Sequence, residues 1–507
     1  MTTILFGQSY YLRFDPKEWE GMRPYPPLGT LYAASYVRER GYDVRLFDAM
    51  LAQSEEEWSR ALDLHKPDFA VIYEDCFNYL SKMCLTRMRD AAFIMAEAAK
   101  RRGCTVLVSG SDATDHKDKY FAHGVDAIII GEGEVTLVET LDVLTGRVEG
   151  DPKAIAGLAW PGMPESAARG FVKELDSLPF PAWDLVDIER YRKIWMERHG
   201  YYSMNMVTTR GCPYHCNWCA KPIYGQRYNV RSPESVAAEL HWLKEHFGPQ
   251  HIWFADDIFG LKPGWIERFA DEVVRLDALV PFKCLLRVDL IKRGVPEALK
   301  RAGCEIVWVG AESGSQKILD AMDKGTKVEQ IYAAAENLHA AGVKIAFFLQ
   351  FGYPGEERED IEATLRMVRE CKPDDIGMSV SYPLPGTKFY ENIKVQLGEK
   401  QNWLDSGDFD MMYLGPYSTE FYRKLHTVLH KEFRARKTLR ALAGPGSRGR
   451  PVRRRLREAA SVAYNLATLP VERRRLDRLA AASHRGIGPL PQILTPEAAA
   501  RPSAQHE

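Results

Sequence analysis

Three thiols, Cys212, Cys216 and Cys219, fall within one stretch, Thr208-Thr-Arg-Gly-Cys-Pro-Tyr-His-Cys-Asn-Trp-Cys219, directly after an apolar segment. Thiolates at C-x3-C-x2-C spacing are suited to a metal. A further cysteine within reach would close the shell of a structural zinc or an ordinary electron-transfer cluster, and none follows. One coordination position is therefore expected to stay open, and an open iron can bind a substrate or cosubstrate. The competing readings are a partial zinc site and three incidental core cysteines. Clustering behind Arg-Gly argues against the latter, because free cysteines are ordinarily dispersed in a core.

The elements that must hold this loop follow from the pattern on either side of it. From Tyr201 onward, strands are expected at Ser203 to Thr208, His251 to Ala255, Phe282 to Val288, Ile306 to Gly310, Lys344 to Phe351 and Ile376 to Tyr382. Helical patterns such as Pro233 to Phe247 separate them. Six such units make a partial (β/α)6 barrel of TIM type, with its chemistry at the carboxyl ends of the strands. Asp256 and Asp257, Arg287 and Asp289, Glu312 and Ser313, and Gln350 and Gly352 stand there, followed by Tyr382-Pro-Leu-Pro-Gly-Thr387.

Before the cysteines lies another alternation. Strands at Ile4 to Phe6, Val44 to Phe47 (ending at Asp48), Phe69 to Tyr73, Thr105 to Ser109 and Ala127 to Ile130, with a helix near Gly29 to Arg40, predict a doubly wound, Rossmann-like parallel sheet. Ligands of such sheets bind at the strands' carboxyl ends. The loops there read Gly7-Gln8-Ser9 and Tyr25-Pro26-Pro27-Leu28-Gly29-Thr30, then Glu74-Asp75-Cys76-Phe77-Asn78, Ser109-Gly110-Ser111-Asp112 and Gly131-Glu132-Gly133-Glu134. Glycines at strand ends permit close backbone approach, while the carboxylates and hydroxyls can bond amide or ribose groups. No G-x-G-x-x-G follows the first strand, so a dinucleotide is not expected.

At 507 residues, with 45% hydrophobic and 27% charged, the chain suits two or three globular domains. Its start lacks the charged and apolar regions of a signal peptide, and no apolar run approaches the roughly 18 to 20 residues needed to span a bilayer. Nine cysteines, six of them scattered, fit a reducing cytoplasm. The reading divides the chain into 1–145, a connector 146–195 rich in Gly and Pro, a core 196–395, a basic helical region 396–490 and a disordered tail 491–507. Helices are expected at Phe421 to Ala443, Arg453 to Leu466 and Val471 to Ala482. From Phe421 to Leu490 there are 18 Lys+Arg against 4 Asp+Glu, a balance of +14 that leaves −15 for the remainder. Such helices could pack on the barrel, cap its mouth, or meet an anionic membrane surface. Aromatics for stacking on nucleic acid are scarce there, which makes nucleic acid an unlikely partner.

The cysteine spacing, with an aromatic residue before the last thiol, resembles the radical S-adenosylmethionine (SAM) signature. Together with Pro-Pro-Leu-Gly29, Ile-Gly-Glu-Gly-Glu134 and Leu-Pro-Phe-Pro-Ala-Trp-Asp184, it resembles the cobalamin-binding radical SAM enzymes, of the class that contains many methyltransferases. The resemblance implies a [4Fe-4S] cluster on Cys212, Cys216 and Cys219. It implies SAM near Trp218, Asp256, Asp257, Arg287, Glu312, Ser313 and Gly352, with Phe254-Ala-Asp-Asp257 where the family commonly has Gly-Gly-Glu. It places cobalamin against Gln8, Pro27, Leu28, Gly29, Thr30, Asp48, Glu74, Asp75, Ser109, Gly110, Ser111 and Gly131 to Glu134. The Asp-x-His-x-x-Gly motif of many cobalamin domains is missing, since Asp63-Leu-His65-Lys-Pro-Asp68 ends wrongly and precedes the third strand. No protein histidine on cobalt is therefore expected.

The implied activity is reductive cleavage of SAM to a 5′-deoxyadenosyl radical, followed by methylation of an unactivated carbon. An electron donor such as flavodoxin or ferredoxin is implied as partner, with a small-molecule or lipid-like substrate. The alternatives are a non-methylating cyclase of the anaerobic magnesium-protoporphyrin type, a carbon–carbon coupling enzyme and, from another class, a zinc-containing nucleic-acid module.

Overall fold

Two open sheets carry the chain in this computed structural model, which describes residues 2–444 and 451–483. The first is built from β1 (Thr3–Gly7), β2 (Asp43–Leu46), β3 (Phe69–Tyr73), β4 (Thr105–Ser109), β5 (Ala127–Ile129) and β6 (Leu158–Ala159) in the order β2-β1-β3-β4-β5-β6. All neighbours are parallel except β6, which pairs antiparallel with β5. Residues 158–159, within the expected connector, thus complete the edge of this sheet. Ile4, Leu5, Phe6, Val71 and Ile72 are wholly buried without alternation, because helices cover both faces. The strand order changes direction between β1 and β3, the switch point at which doubly wound sheets bind ligands.

The second sheet runs in sequence order through β7 (Ser203–Met206), β10 (His251–Phe254), β11 (Phe282–Leu286), β12 (Cys304–Glu312), β13 (Lys344–Phe351) and β14 (Asp375–Val380), every pair parallel. Its two end strands do not pair, so it is a half-open barrel. Between β7 and β10, β8 (Thr209–Arg210) and β9 (Asn229–Val230) form a short antiparallel ribbon flanking the cysteine loop. Outward side chains such as Cys284, Val307 and Val309 are fully buried beneath the surrounding helices.

Each face of the first sheet has a core of its own, and a further apolar cluster bridges the two domains. A single cluster runs from Leu28, Leu31 and Phe77 of the first domain to Met204, Met206 and Phe254 of the barrel. After the barrel, Asn402 and Trp403 bond back to the first domain through the Cys84 carbonyl and the Thr86 amide. Helix Thr419–Ala443 then packs against helix Val452–Ser483. The pair lies on the barrel helix Arg358–Cys371, joined by Arg369–Glu432 (2.7 Å) and Arg358–Asp477 (2.9 Å). The expected break between Leu466 and Val471 is absent: the helix passes through Pro470, with Val462 and Leu476 buried against its neighbours. The tail at 491–507 lies outside the described residues. Among the described residues no helix is long and apolar enough to cross a membrane.

Candidate active site

The cysteine loop leaves β7 at the barrel's carboxyl end, and Asp256 fixes its start. Both Asp256 oxygens are engaged: Oδ1 accepts from the Thr208 amide (2.7 Å), the Thr209 amide (2.6 Å) and the Thr209 hydroxyl (2.8 Å), and Oδ2 from the Thr208 hydroxyl (3.1 Å). Burial pushes this carboxyl up to about 6 despite those bonds. Asp256 is thus committed to positioning the loop. Its neighbour Asp257 pairs across the domain boundary with Lys82 (2.5 Å).

Cys212, Cys216 and Cys219 are half-buried and unbridged. Burial raises the Cys219 thiol to about 12 in the absence of metal, with Lys221 pulling the other way. Arg287 reaches to 3.9 Å from Cys216 Sγ and lies 3.6 Å over the Tyr214 ring, held by Asp289 (3.0 Å) and the Lys324 carbonyl (3.0 Å). Among the described residues no three Cys, His, Asp or Glu side chains converge on one point.

Around this loop, Glu312 pairs with Lys324 (2.7 Å) from a left-handed position (φ 56°), where β12 shifts register. Gly310 makes room for that pair, since a Cβ there would strike both charged groups. Ser313 is buried against Thr364, and the Gly352 amide donates to Glu356 (2.7 Å). Trp218 packs towards Ile318, Tyr353 and Phe389, and its buried indole N–H has no partner.

Facing the loop is the carboxyl edge of the first sheet. Glu74, at the end of β3, accepts from the Ser9 hydroxyl (2.6 Å) and amide (3.2 Å) at the end of β1, and burial raises it to about 7. Asp75 receives the Gly29 amide (2.9 Å) and is raised by burial to about 6, while Thr30 bonds the Tyr73 carbonyl. Pro27 and Leu28 open helix Leu28–Arg38 beside them. Ser109 accepts the Glu74 amide, Gly110 packs on the Glu74 side chain, and Ser111 bonds the Ser81 carbonyl. Gln8 Nε2 and Ser81 Oγ are buried without partners on this edge, amide and hydroxyl groups that would suit the amide-bearing rim of a corrin. Asp48 stands apart, turned towards Tyr191 (2.7 Å) of the connector helix Ile188–His199.

The Gly131–Glu134 turn makes a contact not expected from sequence. Glu132 and Glu134 both bind Arg210, from the ribbon before the cysteines, Glu134 at 2.7 Å. All three side chains are buried, so the turn grips the cluster loop directly. Arg210 stood in the quoted Thr-Arg-Gly-Cys stretch, but nothing local names its partners some seventy residues away. Lys82, Lys324 and Tyr224, whose hydroxyl lies 2.7 Å from Cys76, were missed for the same reason.

The family model of the B12 binding domain matches residues 23–141, and that of the Radical SAM superfamily matches residues 206–368. An uncharacterised methyltransferase of Pyrococcus horikoshii is 29% identical over 79% of this chain and 86% of its own. The anaerobic magnesium-protoporphyrin IX monomethyl ester cyclase of Rubrivivax gelatinosus is 25% identical over 75% of this chain and 68% of its own. The radical SAM methyltransferase TsrM of Kitasatospora setae, solved with cobalamin and a [4Fe-4S] cluster, superimposes with a TM-score of 0.63 over 79% of this chain and 76% of that one, at 17% identity. The chain thus carries a B12-binding domain set against a radical SAM domain whose three cysteines stand at the barrel mouth, and its fold is similar to that of a cobalamin-dependent radical SAM methyltransferase.

Proposed function

We propose that this enzyme methylates an unactivated carbon of a small-molecule substrate held between its two domains. The observation that carries the reading is the apposition of two carboxyl edges: the cysteine loop faces the switch point of the first sheet, with Arg210 and Lys82 spanning the gap. When bound, the cluster, SAM and cobalamin supply one-electron reduction of SAM and a transferable methyl group. Cys212, Cys216 and Cys219 would hold the cluster, with the Arg287 cation 3.9 Å from Cys216. Lys324 and Glu312 present opposite charges beside the loop, suited to the carboxylate and amino groups of SAM, and Trp218 offers a ring face and a free N–H. Gln8, Thr30, Glu74, Asp75 and Ser111 line the corrin side. The continuous apolar core between the domains keeps water from the reacting centres. The donor of the electron is a small redox protein of the flavodoxin or ferredoxin kind.

The cyclase relative supports a second reading, ring closure without methyl transfer. Anaerobic reconstitution with iron, sulfide and hydroxocobalamin, followed by EPR and product analysis with reductant and SAM, separates the two. S-adenosylhomocysteine alongside 5′-deoxyadenosine supports methylation. 5′-Deoxyadenosine alone, with substrate consumed, supports cyclisation and sinks the first reading. Loss of both cofactor signals would overturn either.

A further inference from the structure

In a closed barrel the inward side chains fill the core and are the most buried of all. This barrel reverses that rule. Along β11 and β12 the outward Cys284, Val307 and Val309 are inaccessible, whereas the inward Leu285, Ile306 and Trp308 retain accessible surface. On β13 the inward Phe348 is 40% accessible, although its strand neighbours Phe347 and Leu349 are buried. Tyr79, from the first domain, is 50% accessible and lies within electrostatic reach of Tyr382, Cys219 and Glu312. An inward face that stays accessible while the outward face is buried is what an open hollow inside the half-barrel leaves.

Its walls are apolar and flat. Trp308 and Phe348 lie with ring centroids 4.7 Å apart and planes tilted by 30°, and Gly377, beside Phe348 on the next strand, supplies no side chain. The exception is Lys283, on the same inward face as Leu285 and Arg287. Its ammonium lies 4.9 Å over Trp253 and 5.6 Å over Tyr25, and among the described residues it has no carboxylate within ion-pair distance. Burial, and repulsion from Arg23, lower it to about 8 against the weaker pull of Glu18. Two ring faces return only part of an ammonium's lost hydration. A cation kept unpaired in an apolar hollow is suited to an anion that arrives with the substrate. Lys283 stands four residues below Arg287, which touches Cys216, roughly 13 Å along the strand.

Resting on the proposed function, with the substrate extending from between the domains into this hollow, we propose that Lys283 selects a flat apolar molecule bearing an anionic group, a carboxylate or a phosphate. The anion is held at the barrel floor, the ring body lies on Trp308 and Phe348, and the reacting carbon is directed to the mouth.

Equilibrium dialysis of the reconstituted full chain against two probes of nearly the same body, 8-anilinonaphthalene-1-sulfonate and the uncharged N-phenyl-1-naphthylamine, tests this without turnover. The wild type is expected to bind both, with the anion preferred at pH 7 and the preference shrinking as pH rises through about 8. Lys283→Met should weaken the anion at least tenfold and leave the neutral probe within twofold, and Lys283→Arg should restore the preference. Gly377→Leu, which places bulk against Trp308 and Phe348 without striking backbone, should reduce both. Equal affinity of Lys283→Met and wild type for the anion would overturn the assignment, as would indifference of both probes to Gly377→Leu or failure of either to bind. Because the readout is binding, methyl transfer could fail and this result stand, or the reverse.

Discussion

Asp256 receives four hydrogen bonds from Thr208 and Thr209, the residues that launch the cysteine loop. Asn there keeps one oxygen and turns an NH2 towards donors, at a cost of about 1–3 kcal/mol. Asp256→Asn should therefore reconstitute with less iron and sulfide per chain and melt lower, while Asp257→Asn, which loses only a half-exposed partner of Lys82, should keep its iron. Equal iron in Asp256→Asn and wild type would remove the positioning role. Glu74 makes a different prediction. Burial raises it to about 7 from an ordinary glutamate value, so the folded state prefers the protonated acid. Its stabilising contribution is full below about pH 4.5 and is lost as pH rises through about 7. The size is on the order of 3 kcal/mol. Melting of the cofactor-free protein between pH 5 and pH 8 should show that loss, and Glu74→Gln should reduce it, leaving the part due to Asp75 and Asp256; an unaltered pH slope in the variant would refute the assignment.

The regular elements were legible because their signals are local. Continuous apolar runs such as Phe69–Tyr73 and the helical period of Pro233–Phe247 lie within a few residues of one another, and the strands and that helix occur where the pattern puts them. The helix expected to end at Leu466 and resume at Val471 instead runs through Pro470, for the complementary reason. Its roughly 3 kcal/mol penalty inside a helix is visible in sequence, whereas the packing of Val462 and Leu476 that outweighs it is not. Glu432 on helix Thr419–Ala443 contributes to that packing. Burial alone would raise it, but Arg369 and Arg473, with Arg436 beside them, hold it down at about 2. Its contribution is thus present above about pH 4.5 and lost as pH falls through about 2. Glu432→Gln leaves three guanidinium groups crowded on a neutral amide and should cost roughly 3 kcal/mol. Limited proteolysis should then release the C-terminal helix pair at a lower temperature than in wild type; an unchanged release temperature would mean the arginines are satisfied elsewhere.

At the scale of the whole molecule, what sequence could not give is what joins the two domains. The cysteine spacing identified one half and the strand-end loops the other, yet Arg210 meets Glu132 and Glu134 across 78 and 76 residues, and Lys82 meets Asp257 across 175. Long-range pairing of this kind leaves no periodic trace. Its physics is nevertheless severe: one buried guanidinium serves two buried carboxylates, and burial with the neighbouring Glu134 raises Glu132 even against Arg210. Arg210→Met would strand both carboxylates in an apolar interface at a cost of roughly 3–5 kcal/mol. The expected result is a lower melt that splits into two calorimetric transitions, as each sheet unfolds without the other. Replacing Glu132 and Glu134 with Gln in the same chain removes the unpaired charge and should recover most of the loss. If the triple variant melts no higher than Arg210→Met, the clasp works through shape rather than charge. If Arg210→Met melts as one transition at the wild-type temperature, the shared apolar core alone holds the cysteine loop against the corrin-facing edge.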